Sequence, residues 1–280
     1  MPLKAESLGI AGPLEVAASG RPLRYWPLAC LVTLSGPSPS TAAGAPPGGA
    51  LEPKELLERF LAGSNRQRQR EWPQLQQLGP ALFEPLWQLL SSQERQASNW
   101  AVGLLLQWLA QDPQQLQLLE SRWPGGWLPN PGSGIPSYGE LQRALLLSQL
   151  EEADRLTSAF LRQLAGNAAE RRGYVYYSEV AAIPRLDLGH LDDLWWFYSG
   201  GRYGFRVQRR LLEQCGGRWE DLWGRLGWKA AGIWTRYPRS FNWTLEAPEG
   251  HLPLVNQLRG VRLLDALLKH PAIDRPTPDR

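Results

Sequence analysis

The chain is poor in the side chains that do metal and thiol chemistry. Its 280 residues include two cysteines, three histidines and one methionine. Cys30 and Cys215 make neither a disulfide framework nor a zinc site, and a reducing compartment is the simpler reading. His190, His251 and His270 are scattered through the chain. His251 reads as a structural histidine beside a helix start rather than a haem ligand. Enzyme signatures are missing as well. There is no GxSxG and no HExxH, and GRYGF at 201–205 lacks the lysine of a phosphate loop. Asp192 and Asp193 are paired acids, but neighbours on a helix point about 100° apart and do not form a dyad by themselves. No apolar run approaches the ~20 residues of a membrane helix. The longest, YWPLACLVTL at 25–34, starts too far in for a secretory leader. A net charge of +3 is too small to imply a nucleic-acid partner.

Tryptophan, by contrast, is abundant. Seven of the 14 tryptophans fall between Trp195 and Trp243. From Trp195 to Arg262 there are eleven Lys/Arg against five Asp/Glu, so basic charge and aromatic rings share one region. An apolar, anionic partner suits that pairing.

Helical periodicity dominates, and the expected class is all-α. Residues 1–50, rich in Gly, Pro, Ala and Ser, read as a disordered tail. Residues 51–120 read as a small bundle of about five short helices. NWAVGLLLQWLAQ is apolar all round and belongs at its centre. Asp112 is placed to cap the helix that opens on Pro113. Residues 121–137, SRWPGGWLPNPGSGIPS, form a linker, and residues 138–272 a second helical domain, followed by a flexible end at 273–280. In that domain YGELQRALLLSQL and EEADRLTSAFLRQL form an antiparallel pair. Asp187 is read as a cap before HLDDLWWFY. The last and longest helix is expected over PLVNQLRGVRLLDALLKH, with Pro253 in its first turn.

The stretch GIWTRYPRSFNWTLEAPEGHLPLVNQLRG, 232–260, is the least ordinary. Trp195, Trp219, Trp223 and Trp228 read as core. Trp234, Tyr237 and Phe241 sit on a Pro-bounded loop, where packing and ligand contact are equally good readings. Asn256 and Arg259 lie three apart and would share one helix face.

The run from IPRLDLGHLDDLWW through YSGGRYGFRVQRR and GW to APEGHLP resembles the genomes-uncoupled-four family, porphyrin-binding regulators of magnesium chelatase. The carriers are Asp187-Leu188, Asp192 to Trp195, Tyr198 to Gly201, Tyr203 to Gln208, Gly227-Trp228 and Ala247 to Pro253. The resemblance implies a helical domain shaped like a cupped hand behind an N-terminal helical bundle of cyanobacterial type. Its palm would take protoporphyrin IX or magnesium-protoporphyrin IX, with no covalent cofactor, no metal of its own and no catalysis. Its fingers would fall at about 167–186 and 234–251. Trp234, Tyr237, Phe241, Asn256 and Arg259 would touch the ligand, joined by Val175 and Tyr177, and Tyr176 is a further plausible contact. Tyr237 stands where a cyanobacterial relative carries Trp. Trp243 would hold the loop down. The implied protein is a monomer that binds the H subunit of magnesium chelatase and activates it in chlorophyll biosynthesis. It would work in the cytoplasm at the thylakoid membrane surface, or in plastid stroma.

Overall fold

The computed structural model describes residues 52–132, 137–255 and 261–275. Their regular structure is helical apart from one hairpin of two-residue strands, β1 (Lys229–Ala230) and β2 (Ile233–Trp234). The all-α reading holds. None of these helices is long and apolar enough to cross a membrane.

Five helices come first: α1 (Pro53–Ala62), α2 (Asn65–Leu78), α3 (Phe83–Ser92), α4 (Trp100–Leu109) and α5 (Pro113–Arg122). Asp112 caps α5 as its sequence signals, accepting from the N–H of Gln114 and Gln115. Nearly every side chain of α4 is buried, so its all-round apolar sequence is matched by neighbours on every side. One of those neighbours lies beyond the front helices. At Gly103 a Cβ would stand 2.3 Å from the Phe197 carbonyl oxygen, so the two backbones meet directly there. Alanine ordinarily favours a helix by about 1 kcal/mol over glycine. Here the steric clash outweighs that gain. Gly103→Ala is expected to destabilise by about 2 kcal/mol, read as a lower urea midpoint at unchanged m. A midpoint at or above that of the parent chain would contradict this packing.

The rest is built from α6 (Gly139–Leu146), α7 (Leu150–Leu164), α8 (Asn167–Arg172), α9 (Arg185–Tyr198), α10 (Phe205–Gln214), α11 (Trp219–Arg225) and α12 (Arg262–Leu268). α9 is the core helix of this part, with Leu188, Leu191, Leu194, Trp195 and Phe197 fully buried. The Trp195 indole donates to Thr157 Oγ1 on α7 at 2.9 Å, which satisfies a donor deep in the core. Gly200 and Gly201, both at positive φ, end α9 as the sequence suggests.

Two expectations are corrected here. Asp187 is no cap: it lies inside α9, fully buried, and accepts the Tyr138 hydroxyl at 2.6 Å. The last helix does not start at Pro253. Among the described residues it is α12, seven residues long and far from the longest. Backbone groups ahead of it are bound by side chains of other helices. Gln208 donates to the carbonyls of Gly250 and Pro253, and Asp154 accepts the Leu254 N–H. Those tertiary bonds replace the helical turn that Pro253 would otherwise open.

Candidate functional site

The second finger begins as the hairpin. Trp234 pairs with Lys229 across it, and Lys229 Nζ lies 5.3 Å from the Trp234 ring centre. The ring also rests against Trp223 at 5.6 Å, and Trp223 stacks on the buried Trp228. Trp234 is thereby half-buried and tied to the core. The chain then turns, with the Ser240 N–H donating to the Arg236 carbonyl and Phe241 N–H to that of Pro238.

Three rings crowd this turn. Tyr237, Phe241 and Trp243 have centres 6.0 to 6.3 Å apart. The Trp243 indole donates to the Pro238 carbonyl at 3.0 Å, the tether expected of it. Phe241 leans on His251 at 5.4 Å. His251 Nδ1 bonds the Leu226 carbonyl at 2.6 Å, and burial holds its pKa below the ordinary value. It is thus a neutral histidine fastening the loop to α11, with Nε2 buried and without a partner among the described residues. Tyr237 is the outlier, 57% exposed, its ring turned to the surface.

The first finger is more ordered than a loop, holding α8 and a 3-10 stretch at Tyr177–Ala182. Arg172 organises it. Its guanidinium lies 4.7 Å from the Tyr174 ring and 4.0 Å from the Tyr176 ring, and it pairs with Glu179 at 2.5 Å. Glu179 also accepts the Tyr176 N–H. Val175 is buried by this arrangement and Tyr177 is left 49% exposed.

Helix α7 joins the fingers. Near its start, Glu151 and Arg155 line a hollow of about 470 Å³ with Tyr237 and Trp243. Two turns on, Ser158 and Arg162 line one of about 140 Å³ with Val175, Leu254 and Val255. At 1.5 Å per residue the hollows are centred roughly 10 Å apart along one helix. Arg155 is paired with Glu152, while Arg162 has no carboxylate partner among the described residues.

The structure therefore brings Tyr237 and Val175 to hollows along one side of α7, with Phe241 6.3 Å from Tyr237. Tyr177 lies in a separate hollow beside Arg185, Lys269 and His270, with the Arg262 guanidinium 5.5 Å from its ring. Trp234 packs on the core next to the turn. Asn256 and Arg259 lie outside the described residues. Sequence reasoning missed Arg155, Ser158 and Arg162. Their spacing of three and four was a signal, though any solvated helix face shows it.

Residues 133–271 match the family model described as GUN4-like. The chain is also 38% identical over 177 residues to the protein ycf53 of Pyropia yezoensis, a match covering 62% of this chain and 75% of that one. The chain belongs to the GUN4 family. It is 44% identical over 153 residues to the Ycf53-like protein of Synechocystis sp., spanning 55% of this chain and 66% of the relative. It is 37% identical over 144 residues to an Arabidopsis thaliana protein named tetrapyrrole-binding protein, chloroplastic, covering 48% of this chain and 54% of that one. The solved structure of GUN4 from Chlamydomonas reinhardtii shares 34% identity at a TM-score of 0.48, over 51% of this chain and 91% of that one.

Proposed function

We propose that this family member binds a porphyrin, protoporphyrin IX or its magnesium complex, across the exposed face of α7. In this reading it activates magnesium chelatase through the H subunit and catalyses nothing itself. The observation that carries the proposal is the pair of aromatic and aliphatic segments set along one helix face, with Arg162, which has no carboxylate partner among the described residues, lining the hollow beside Val175. A porphyrin is a flat apolar disc edged by two propionates. Aromatic loop, aliphatic hollow and the Arg162 guanidinium match its faces and its edge. The tetrapyrrole-binding relative supports the same ligand class.

Covering ~300 Å² of ligand at about 25 cal/mol per Å² gives a gross ~7 kcal/mol, part of which association entropy removes. Micromolar binding follows. Phe241 is the ring best placed to hold the loop in a gripping shape, since it touches Tyr237, Trp243 and His251. Phe241→Ala is expected to raise the deuteroporphyrin dissociation constant about tenfold, read by quenching of Trp fluorescence. Tyr237→Trp enlarges an exposed ring and is expected to tighten binding a few-fold. Arg259→Ala is expected to weaken it through loss of a propionate contact, with Asn256 supporting. Unchanged constants in both Phe241→Ala and Arg259→Ala would sink the site assignment. The regulatory role is tested separately, by chelatase turnover with and without this protein over a range of magnesium concentrations. No stimulation at any concentration would overturn it.

A further inference from the structure

The largest cavity among those described lies on the opposite side of α7. It measures about 830 Å³ and opens where α4, α5 and the stretch at 123–127 meet α6 and α7. This volume is within the usual range for small-molecule pockets. Its walls are mostly apolar, formed in part by Leu119, Trp123, Leu146, Leu156 and Phe160. α7 turns Leu156, Ala159 and Phe160 towards it, whereas Arg155, Ser158 and Arg162 line the hollows between the fingers. The two regions share a helix but no lining residue.

Polar groups around the cavity are nearly all spent. Gln142 accepts the Leu128 N–H and donates to the carbonyls of Gly125 and Leu128. Arg143 pairs with Glu120 at 2.7 Å at the rim. One donor is left. Trp127 lines the cavity and is 3% exposed, and its indole N–H has no acceptor among the described residues. A buried donor without a partner is costly, and structures rarely keep one without use. The rim carries Glu120 and Glu140 against Arg143 alone, which disfavours an anion such as a second porphyrin dicarboxylate. A neutral acceptor fits instead.

We infer that this cavity is a second binding site, for an uncharged, mainly apolar molecule bearing a carbonyl oxygen that accepts from the Trp127 indole. This site stands independently of the porphyrin reading.

The test uses two probes of similar shape, octanophenone and octylbenzene, which differ in a carbonyl. Titration calorimetry on the full chain should show one octanophenone per chain, binding about tenfold more tightly than octylbenzene, the usual worth of one hydrogen bond to a neutral donor. Trp127→Phe keeps the ring and removes the donor, so it should erase the preference while keeping the hydrocarbon. Ala159→Phe fills the space and should abolish both. Saturating deuteroporphyrin should displace neither probe. Equal affinity for the two probes, retained preference in Trp127→Phe, displacement by deuteroporphyrin, or no binding would each overturn the proposal. Should Ala159→Phe lose its cooperative melt, the Trp127→Phe comparison decides alone.

Discussion

Asp192→Ala will lose about 3 kcal/mol or more of stability, the range for breaking a buried ion pair from one side. Asp192 is fully buried on α9. Its Oδ1 accepts the Arg206 backbone N–H at 3.0 Å, and its Oδ2 takes the Arg206 guanidinium. A carboxylate thus serves the first turn of α10 twice, as a charge facing the helix start and as a hydrogen-bond acceptor. Burial opposes the Arg206 charge, but Asp192 and Asp193 hold its pKa above the ordinary value. Arg275 completes the group, 3.2 Å from Asp193 and bonded to the Gly189 carbonyl at 2.9 Å. Removing Asp192 leaves a guanidinium whose side chain is 5% exposed with half of its compensation. Arg206→Met alone should cost a similar amount, because it leaves the buried carboxylate only the more distant Arg275 guanidinium at 3.9 Å. Asp192→Ala with Arg206→Met should cost less than the sum of the two single changes, since neither charge is then left facing a missing partner. Additive losses in urea unfolding would mean that the pair is not coupled. A third neighbour sharpens the test. A Cβ at Gly204 would stand 2.7 Å from Asp192 Oδ1, so the chain gives up a side chain there to admit the carboxylate.

This network also marks the limit of what could be read in advance. Asp192-Asp193 were visible as paired acids, but their partner lies 13 or 14 residues on, across a glycine-rich turn that periodicity cannot bridge. Local signals were legible where local forces decide. Asp112-Pro113 starts α5, Gly200-Gly201 ends α9, and the nearly all-apolar run of 100–109 is buried at every position but Trp108. They failed where tertiary hydrogen bonds outbid them. Pro253 looked like a helix start, yet Gln208 and Asp154 claim the groups around it. Asp187 looked like a cap, yet Tyr138, 49 residues earlier, reaches it in the core. In the candidate site, Val175 and Tyr177 were expected together only because the family resemblance puts both on the first finger. The chain enters a 3-10 turn at Tyr177, which aims the second ring into a different hollow. The loop rings are packed unequally: Trp234 rests on Trp223, while Tyr237 faces out.

Asp154→Asn will change how stability depends on pH, and by a similar magnitude. Asp154 lies on α7 at 2% exposure, and its Oδ1 accepts the Leu254 N–H at 2.7 Å. Burial pushes its carboxyl up to about 7; the Leu254 N–H pulls the other way, and Glu151 adds repulsion. In the unfolded chain the same group ionises near 3.9. Between those values the folded chain holds a proton that the unfolded chain has lost, so stability falls as pH rises from about 4 to about 7 and levels off above. The full drop is up to roughly 4 kcal/mol for a shift of this size. Asparagine keeps an oxygen for the Leu254 N–H and cannot ionise. The variant should match the parent near pH 4 and exceed it by a few kcal/mol at pH 8. His190 runs in opposition. Burial lowers it to about 4, so the folded chain loses stability as pH falls below about 6.5. The parent curve is flattened by the two together, and the difference between parent and variant isolates Asp154. Urea unfolding at pH 4, 6 and 8 measures it, and parallel curves would refute the assignment. The consequence reaches the candidate site, because Leu254 lines the hollow that holds Val175. An uncharged acceptor at 154 should keep that wall in place across the whole pH range, whereas the parent carboxyl carries its burial penalty there above pH 7.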